Sequence, residues 1–287
     1  MSSQKQLALT RVLFFLMLFW FTARWDYFLM WAEVPEEFWH PNGLMKIFSH
    51  PFLDQQALTF WVSLWRWTLL PAALGLAYRF FAPINITAGF VVIGFAHSFG
   101  YQTHTYMPLL LAGLVLAFAP SADAFSLDRL IWGAQPKNEE ASIYKWSLFN
   151  MKLVFCLVFF AAGASKIMNG GWDWIAGDTL RNYFLRAPLV YGDVHPTAHR
   201  LALNFKISQW PLVINVLALL TILIEFLSPT ILLKPRWAWL FVPALFIMQV
   251  VIYFTIYVKF ASYMALYTVW IVFFLSEFLQ TKKKIRI

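Results

Sequence analysis

The sequence predicts an all-α polytopic membrane protein, a bundle of about eight transmembrane helices (range seven to nine) with interfacial helices in its long outer loops. Two observations predict it. Of the 287 residues 61% are apolar and only 13% charged, against roughly 45–50% and 25% in soluble domains. Apolar runs of the length that spans a hydrocarbon core as a helix, about 20 residues, also recur along the chain. A β-barrel requires alternating apolar and polar residues, which these runs lack.

Eight segments carry the pattern: Leu7–Arg24, Ala57–Tyr78, Ile84–Tyr101, Tyr106–Ala122, Trp146–Met168, Pro211–Leu233, Trp237–Tyr257 and Phe260–Leu279. Backbone polar groups inside a bilayer must bond to one another, so each is expected to be a helix. Lys5 and Arg11 before the apolar run Val12–Phe21 look like the start of a signal peptide, but no small-residue cleavage site follows, so the run reads as a retained first span. Three connections are long. Trp25–Gln56 and Asn169–Trp210 are rich in aromatic residues and are expected to hold helices lying in the interface plane, whereas Asp123–Lys145 is polar. The chain reads as one membrane domain, residues 1–287.

The net charge is +8. The basic residues lie in loops and in the tail Lys282-Lys283-Lys284-Ile285-Arg286, a pattern that suits orientation and attraction to anionic lipid rather than nucleic acid. With eight spans, twelve Lys and Arg fall on one side and seven on the other. The richer side is expected to be cytoplasmic, with both termini on it. All six histidines (His40, His50, His97, His104, His195, His199) then fall on or near the outer side. The single cysteine, Cys156, excludes an intramolecular disulfide and a CxxC redox or metal motif. His195 and His199 have the spacing of two zinc ligands on a helix, but Pro196 interrupts them and no third ligand is evident, so no metal is expected.

Ionisable residues inside spans are costly and mark functional sites. Arg66 lies about nine residues into its span, roughly 13 Å deep, where it either bonds to backbone carbonyls or binds an anionic or quinone-like group. Lys152 and Glu225, placed at similar depth on consecutive spans, read as a structural ion pair. Lys166 follows the small-residue run Ala161-Ala162-Gly163-Ala164-Ser165 and precedes the helix-breaking Asn169-Gly170-Gly171-Trp172. It reads either as a lysine snorkelling to the headgroups or as a partly desolvated amine able to act as a base. No internal repeat or midplane helix break is visible, which argues against a transporter.

Phe160-Ala161-Ala162-Gly163-Ala164-Ser165-Lys166-Ile167 followed by Gly171-Trp172-Asp173-Trp174-Ile175-Ala176-Gly177 resembles a motif of the HTTM family, the vitamin K-dependent γ-carboxylase-like membrane domain. Upstream, His104-Thr105-Tyr106, Ala117-Phe118-Ala119-Pro120 and Ser126-Leu127-Asp128 are similar to the family's His-containing segment. Downstream, Glu225-Phe226-Leu227-Ser228-Pro229 resembles its acidic residue before a Pro-ended span.

The resemblance implies a lysine that deprotonates a reduced, vitamin K-like hydroquinone. Oxygen then converts the quinol to an epoxide, a glutamate loses a γ-proton, and the carbanion captures carbon dioxide. Carried over by motif, the base is Lys166 and the assisting residue His104, with Arg66, His97 and Trp172 as candidate quinone-binding residues. The expected partners are membrane lipids and an extracytoplasmic peptide substrate or partner protein, and the expected location is a bacterial inner membrane. Thr103 stands where the carboxylases carry Asn, and Ile252–Tyr257 lacks the family's His and Asn. The acceptor therefore stays open, and so does the alternative of a non-enzymatic membrane factor that assists maturation or export of a secreted peptide.

Overall fold

The computed structural model describes residues 1–22, 26–100, 106–133, 141–176, 178–190, 198–256 and 263–285, and among these it contains helices and turns but no strand. Each of the eight apolar segments holds a helix: α1 (Ser3–Phe21), α2 (Gln55–Leu74), α3 (Tyr78–Ser98), α4 (Met107–Phe118), α5 (Ala141–Ser165), α9 (Pro211–Phe226), α10 (Ala238–Ile256) and α11 (Met264–Ile285). Between α5 and α9 lie α6 (Gly171–Ala176), α7 (Thr179–Val190) and α8 (Ala198–Ser208). By length and composition, Tyr78–Ser98, Ala141–Ala176, Pro235–Thr255 and Met264–Lys282 are able to cross a bilayer, while the apolar helices Met107–Phe118 and Pro211–Phe226 are shorter.

The sixth apolar segment differs from its expected course. The hydropathic run continues to Leu233, but the helix stops at Phe226, and Leu227–Pro229 turns the chain into a four-residue helix, Thr230–Leu233. Pro229 has no backbone N–H to extend the ladder. Hydropathy is blind to this break because the residues after it are apolar.

The chain divides into two compact units, Met1–Val154 with Ala261–Ile287, and Phe155–Phe260. Helix α5 runs through the boundary.

In the first unit α1 packs on α2 and α11, α2 on α3, and α3 on α4. A Cβ at Gly89 of α3 would meet the Leu110 side chain at 2.6 Å and the Trp65 indole nitrogen at 2.8 Å. The missing side chain is what lets α2, α3 and α4 approach closely. Asn85, fully buried one turn earlier, donates to the Trp65 carbonyl at 2.5 Å and to Thr68 Oγ1 at 2.9 Å. We expect Asn85→Ala to lower stability by about 1–2 kcal/mol, from a lost interhelical bond plus a small cavity. Thermal unfolding in detergent checks this, and an unchanged midpoint would refute it.

A polar knot closes one end of this unit. Arg11 of α1, counted from the sequence as a loop-side charge, is fully buried. Its guanidinium donates to the carbonyls of Ser121, at 2.7 Å, and Phe125, and lies 5.5 Å from the centre of the Tyr78 ring. The Asp128 carboxylate accepts from the backbone N–H groups of Ala77 (2.6 Å) and Tyr78 (3.1 Å). It thereby occupies the orphan donors at the start of α3, where a negative charge also meets the positive end of the helix dipole.

At the other end of α3 the segment 26–54 forms short helical turns over Asp26–Leu29, Met30–Glu33, Glu36–Phe38 and Gly43–Ile47. It packs on the helices through Phe28, Trp39, Phe52, Phe95 and Phe99, and the His40 N–H donates to the Ser98 carbonyl at 2.7 Å. In the second unit α7 packs on α8, α9 and α10. Asn204 of α8 is buried and donates to the carbonyls of Phe184 (3.2 Å) and Thr255 (2.6 Å), which ties three helices together.

Candidate functional site

Lys166 sits where the regular helix gives way. Helix α5 ends at Ser165, and Lys166–Gly170 forms a π turn before Gly171, at φ +52°, leads into α6. π turns inside helices recur at functional sites, because the wider turn re-aims side chains. Asn169 Nδ2 donates to Ser165 Oγ at 2.9 Å across the turn. Asparagine and glycine after the lysine supply the local chemistry that lets the ladder change register.

The partner of the Lys166 amine is the Glu225 carboxylate, which it meets in a direct hydrogen-bonded ion pair. The two side chains are 19% and 5% exposed, respectively. Each charge would be expensive to hold alone in so apolar a setting, and each neutralises the other. The amine also lies 5.6 Å from the centre of the Trp174 ring, on the next helix. The Trp174 indole N–H is buried and, among the described residues, has no hydrogen-bond acceptor.

Close backbone approach sets this pairing. A Cβ on Gly163 would stand 2.8 Å from the Phe226 backbone nitrogen and 3.0 Å from Glu225 Cβ, closer than side chains pack. Phe160 and Phe226 put their ring centres 5.0 Å apart, and Ser228 Oγ donates to the Cys156 carbonyl at 3.0 Å. These three contacts fix the last turn of α9 against the last turns of α5, with Glu225 level with Lys166. The small-residue run read from the sequence as permitting close helix approach is thus the element that brings the acid to the lysine.

The other candidates lie as follows. Trp172 is 74% exposed and belongs, like Lys166 and Glu225, to the second unit. Arg66 and His97 belong to the first. The Arg66 guanidinium stands 5.2 Å from the centre of the Phe19 ring and 5.6 Å from that of Trp67, and His97 is half-buried in the last turn of α3. Lys152, expected opposite Glu225, has its amine 4.2 Å from the centre of the Phe273 ring and 5.1 Å from that of Trp270. His50 contacts Glu36 on an exposed loop. His104 and His195 lie outside the described residues. Among the described residues no three His, Cys, Asp or Glu side chains gather in a way that would hold a metal ion.

Over residues 2–277 the sequence matches the HTTM domain. The chain is a member of the HTTM domain family. The match spans nearly all of it, including both compact units and the Lys166 and Glu225 segments. The HTTM domain is the family of vitamin K-dependent carboxylase-like membrane proteins, and the all-helical structure with several long apolar helices accords with a membrane protein. No curated protein and no solved structure matches the chain.

Sequence reading did not anticipate the partnership of Glu225 with Lys166 or the place of Trp174. Glu225 was visible as an intramembrane acid. Its level depended on where α9 ends and on how it seats against Gly163, and neither is encoded in local hydropathy.

Proposed function

We propose that this HTTM protein is a quinol-dependent, carboxylase-like membrane enzyme in which Lys166 is the base. The observation that carries this reading is a lysine amine held at a π turn, mostly removed from solvent, in a chain of this family. In its neutral form the amine takes the proton of a quinol hydroxyl. The quinol and oxygen then give epoxide and water, and the strong base formed on the way removes a γ-proton from a glutamate, whose carbanion adds carbon dioxide. What this chain contributes is a low-dielectric setting for the proton transfer and an aromatic wall. The Trp174 ring beside the amine, with its indole N–H uncommitted among the described residues, suits a flat aromatic substrate carrying oxygen acceptors. His104 assists in this reading, and Arg66, His97 and Trp172 remain candidate contacts to the quinone. Purified protein given reduced quinone, oxygen and labelled bicarbonate is expected to form epoxide. Failure to consume quinol would refute the reading.

A second reading has its own observation. The Lys166–Glu225 pair also serves as a clamp between two helices, which is all that a non-enzymatic factor holding a secreted peptide or partner protein would require.

The topology belongs to the same proposal: a multi-helix bundle crossing an inner membrane with both termini cytoplasmic. A reporter active only in the cytoplasm, fused after residue 287, is expected to be active, and a silent fusion would overturn the orientation.

A further inference from the structure

We infer that Glu225 is the positioning residue of the Lys166 base: its carboxylate orients the amine and stabilises the ammonium formed when that amine takes the quinol's proton. The inference rests on the reading of Lys166 as a base and goes beyond it, since it assigns a function to a residue on a different helix.

In the step concerned, the quinol O–H bond breaks and its electron pair stays on oxygen. The proton joins the lone pair of Lys166 Nζ, so a quinolate and an ammonium form together. An ammonium in an apolar setting is costly unless an opposite charge is already in place. Glu225 supplies that charge, and three things show that its position is built rather than incidental. The carboxylate is 5% exposed and in direct hydrogen-bond contact with Nζ. Gly163 leaves room for the Phe226 backbone and Glu225 Cβ where any other side chain would collide with them. The Phe160–Phe226 and Cys156–Ser228 contacts hold the end of α9 and the turn after it against α5, which keeps Glu225 level with the amine. A carboxylate that holds a base in one orientation and stabilises the cation it becomes is the arrangement of the third member of a catalytic triad. The Trp174 ring completes the enclosure, its π face adding to the attraction for the cation.

The inference makes two linked demands. Without the carboxylate the ammonium is less favoured, so the amine is more often neutral and more reactive toward an acylating reagent. Each neutral amine is a weaker base, so proton abstraction slows when the two proteins are compared at a pH that leaves the amine neutral in both. A clamp alone predicts neither the opposite direction of these effects nor rescue by another carboxylate.

The test uses the full chain in detergent, as wild type, Glu225→Gln and Glu225→Asp. Acetic anhydride labelling of Lys166 at neutral pH is read by mass spectrometry, and epoxide formation is measured over a range of quinol concentrations. Glu225→Gln keeps the size and a hydrogen-bonding oxygen, and each variant is compared with wild type by size-exclusion elution. In the Gln variant, Lys166 labelling at neutral pH is expected to rise by about threefold or more and kcat, compared at the high-pH plateau where the amine is neutral in both proteins, to fall about tenfold, with KM for quinol nearly unchanged. Glu225→Asp is expected to recover much of the lost kcat. A Gln variant with wild-type kcat, or with unchanged Lys166 labelling, overturns the inference and leaves Lys166 as the base. A wild type that turns over no quinol overturns the reading of Lys166, and this inference with it.

Discussion

Replacing Lys166 with arginine is expected to reduce quinol-dependent epoxide formation by at least about a hundredfold while leaving the fold intact, because a general base contributes 10²–10⁴ in rate. Arginine keeps the positive charge, reaches a carboxylate in bidentate geometry and stacks on an aromatic ring. The contacts to Glu225 and Trp174 are therefore satisfied. The guanidinium does not give up its proton in a protein, and so it cannot receive one from a quinol. The substitution separates the two readings of this residue. If the lysine is a clamp, the arginine variant retains full biological activity and melts with the wild type. If it is a base, the variant melts with the wild type and is inactive. An arginine variant that still forms epoxide at the wild-type rate would exclude Lys166 as the base.

The second large effect is expected at Gly163. Gly163→Ala replaces the poorest ordinary helix former with the best, a gain of about 1 kcal/mol in an unconstrained helix. Here the added methyl would lie 2.8 Å from a backbone nitrogen of α9, and backbone cannot rotate aside as a side-chain tip can. The net result for alanine is expected to be destabilisation by about 1 kcal/mol, the overpacking penalty of about 1–3 kcal/mol exceeding the propensity gain. Gly163→Leu is expected to force α5 and α9 apart and to cost more than alanine, about 3 kcal/mol. It also separates the Lys166 amine from Glu225. Thermal unfolding in detergent reads the first effect and acylation of Lys166 the second. A leucine variant with the wild-type midpoint would show that the close approach does not matter to stability.

Much of this fold is legible in the sequence. Each of the eight apolar runs holds a helix, the sixth only as far as Phe226, and the two aromatic-rich connections hold short helices. The site was legible only in part. Lys166 was visible because a lysine amid Ala, Gly and Ser stands out against apolar neighbours, in a segment that resembles a family motif. Trp174 was visible only as one aromatic residue among several.

What the amino-acid sequence determined by itself is the class of the protein and the identity of its elements. A chain this apolar must satisfy its backbone hydrogen bonds within each segment when water is absent, and that requirement is local. What tertiary structure decided is which polar group meets which. Arg11 is a buried donor to the carbonyls of Ser121 and Phe125, and Asp128 occupies the start of α3 some fifty residues earlier in the chain. Glu225 meets Lys166 because α9 stops at Phe226 and seats against Gly163. Each of these pairings depends on the relative rotation and rise of helices distant in sequence. Those are fixed by contacts of side chains, and of one absent side chain, that no periodicity along the chain records.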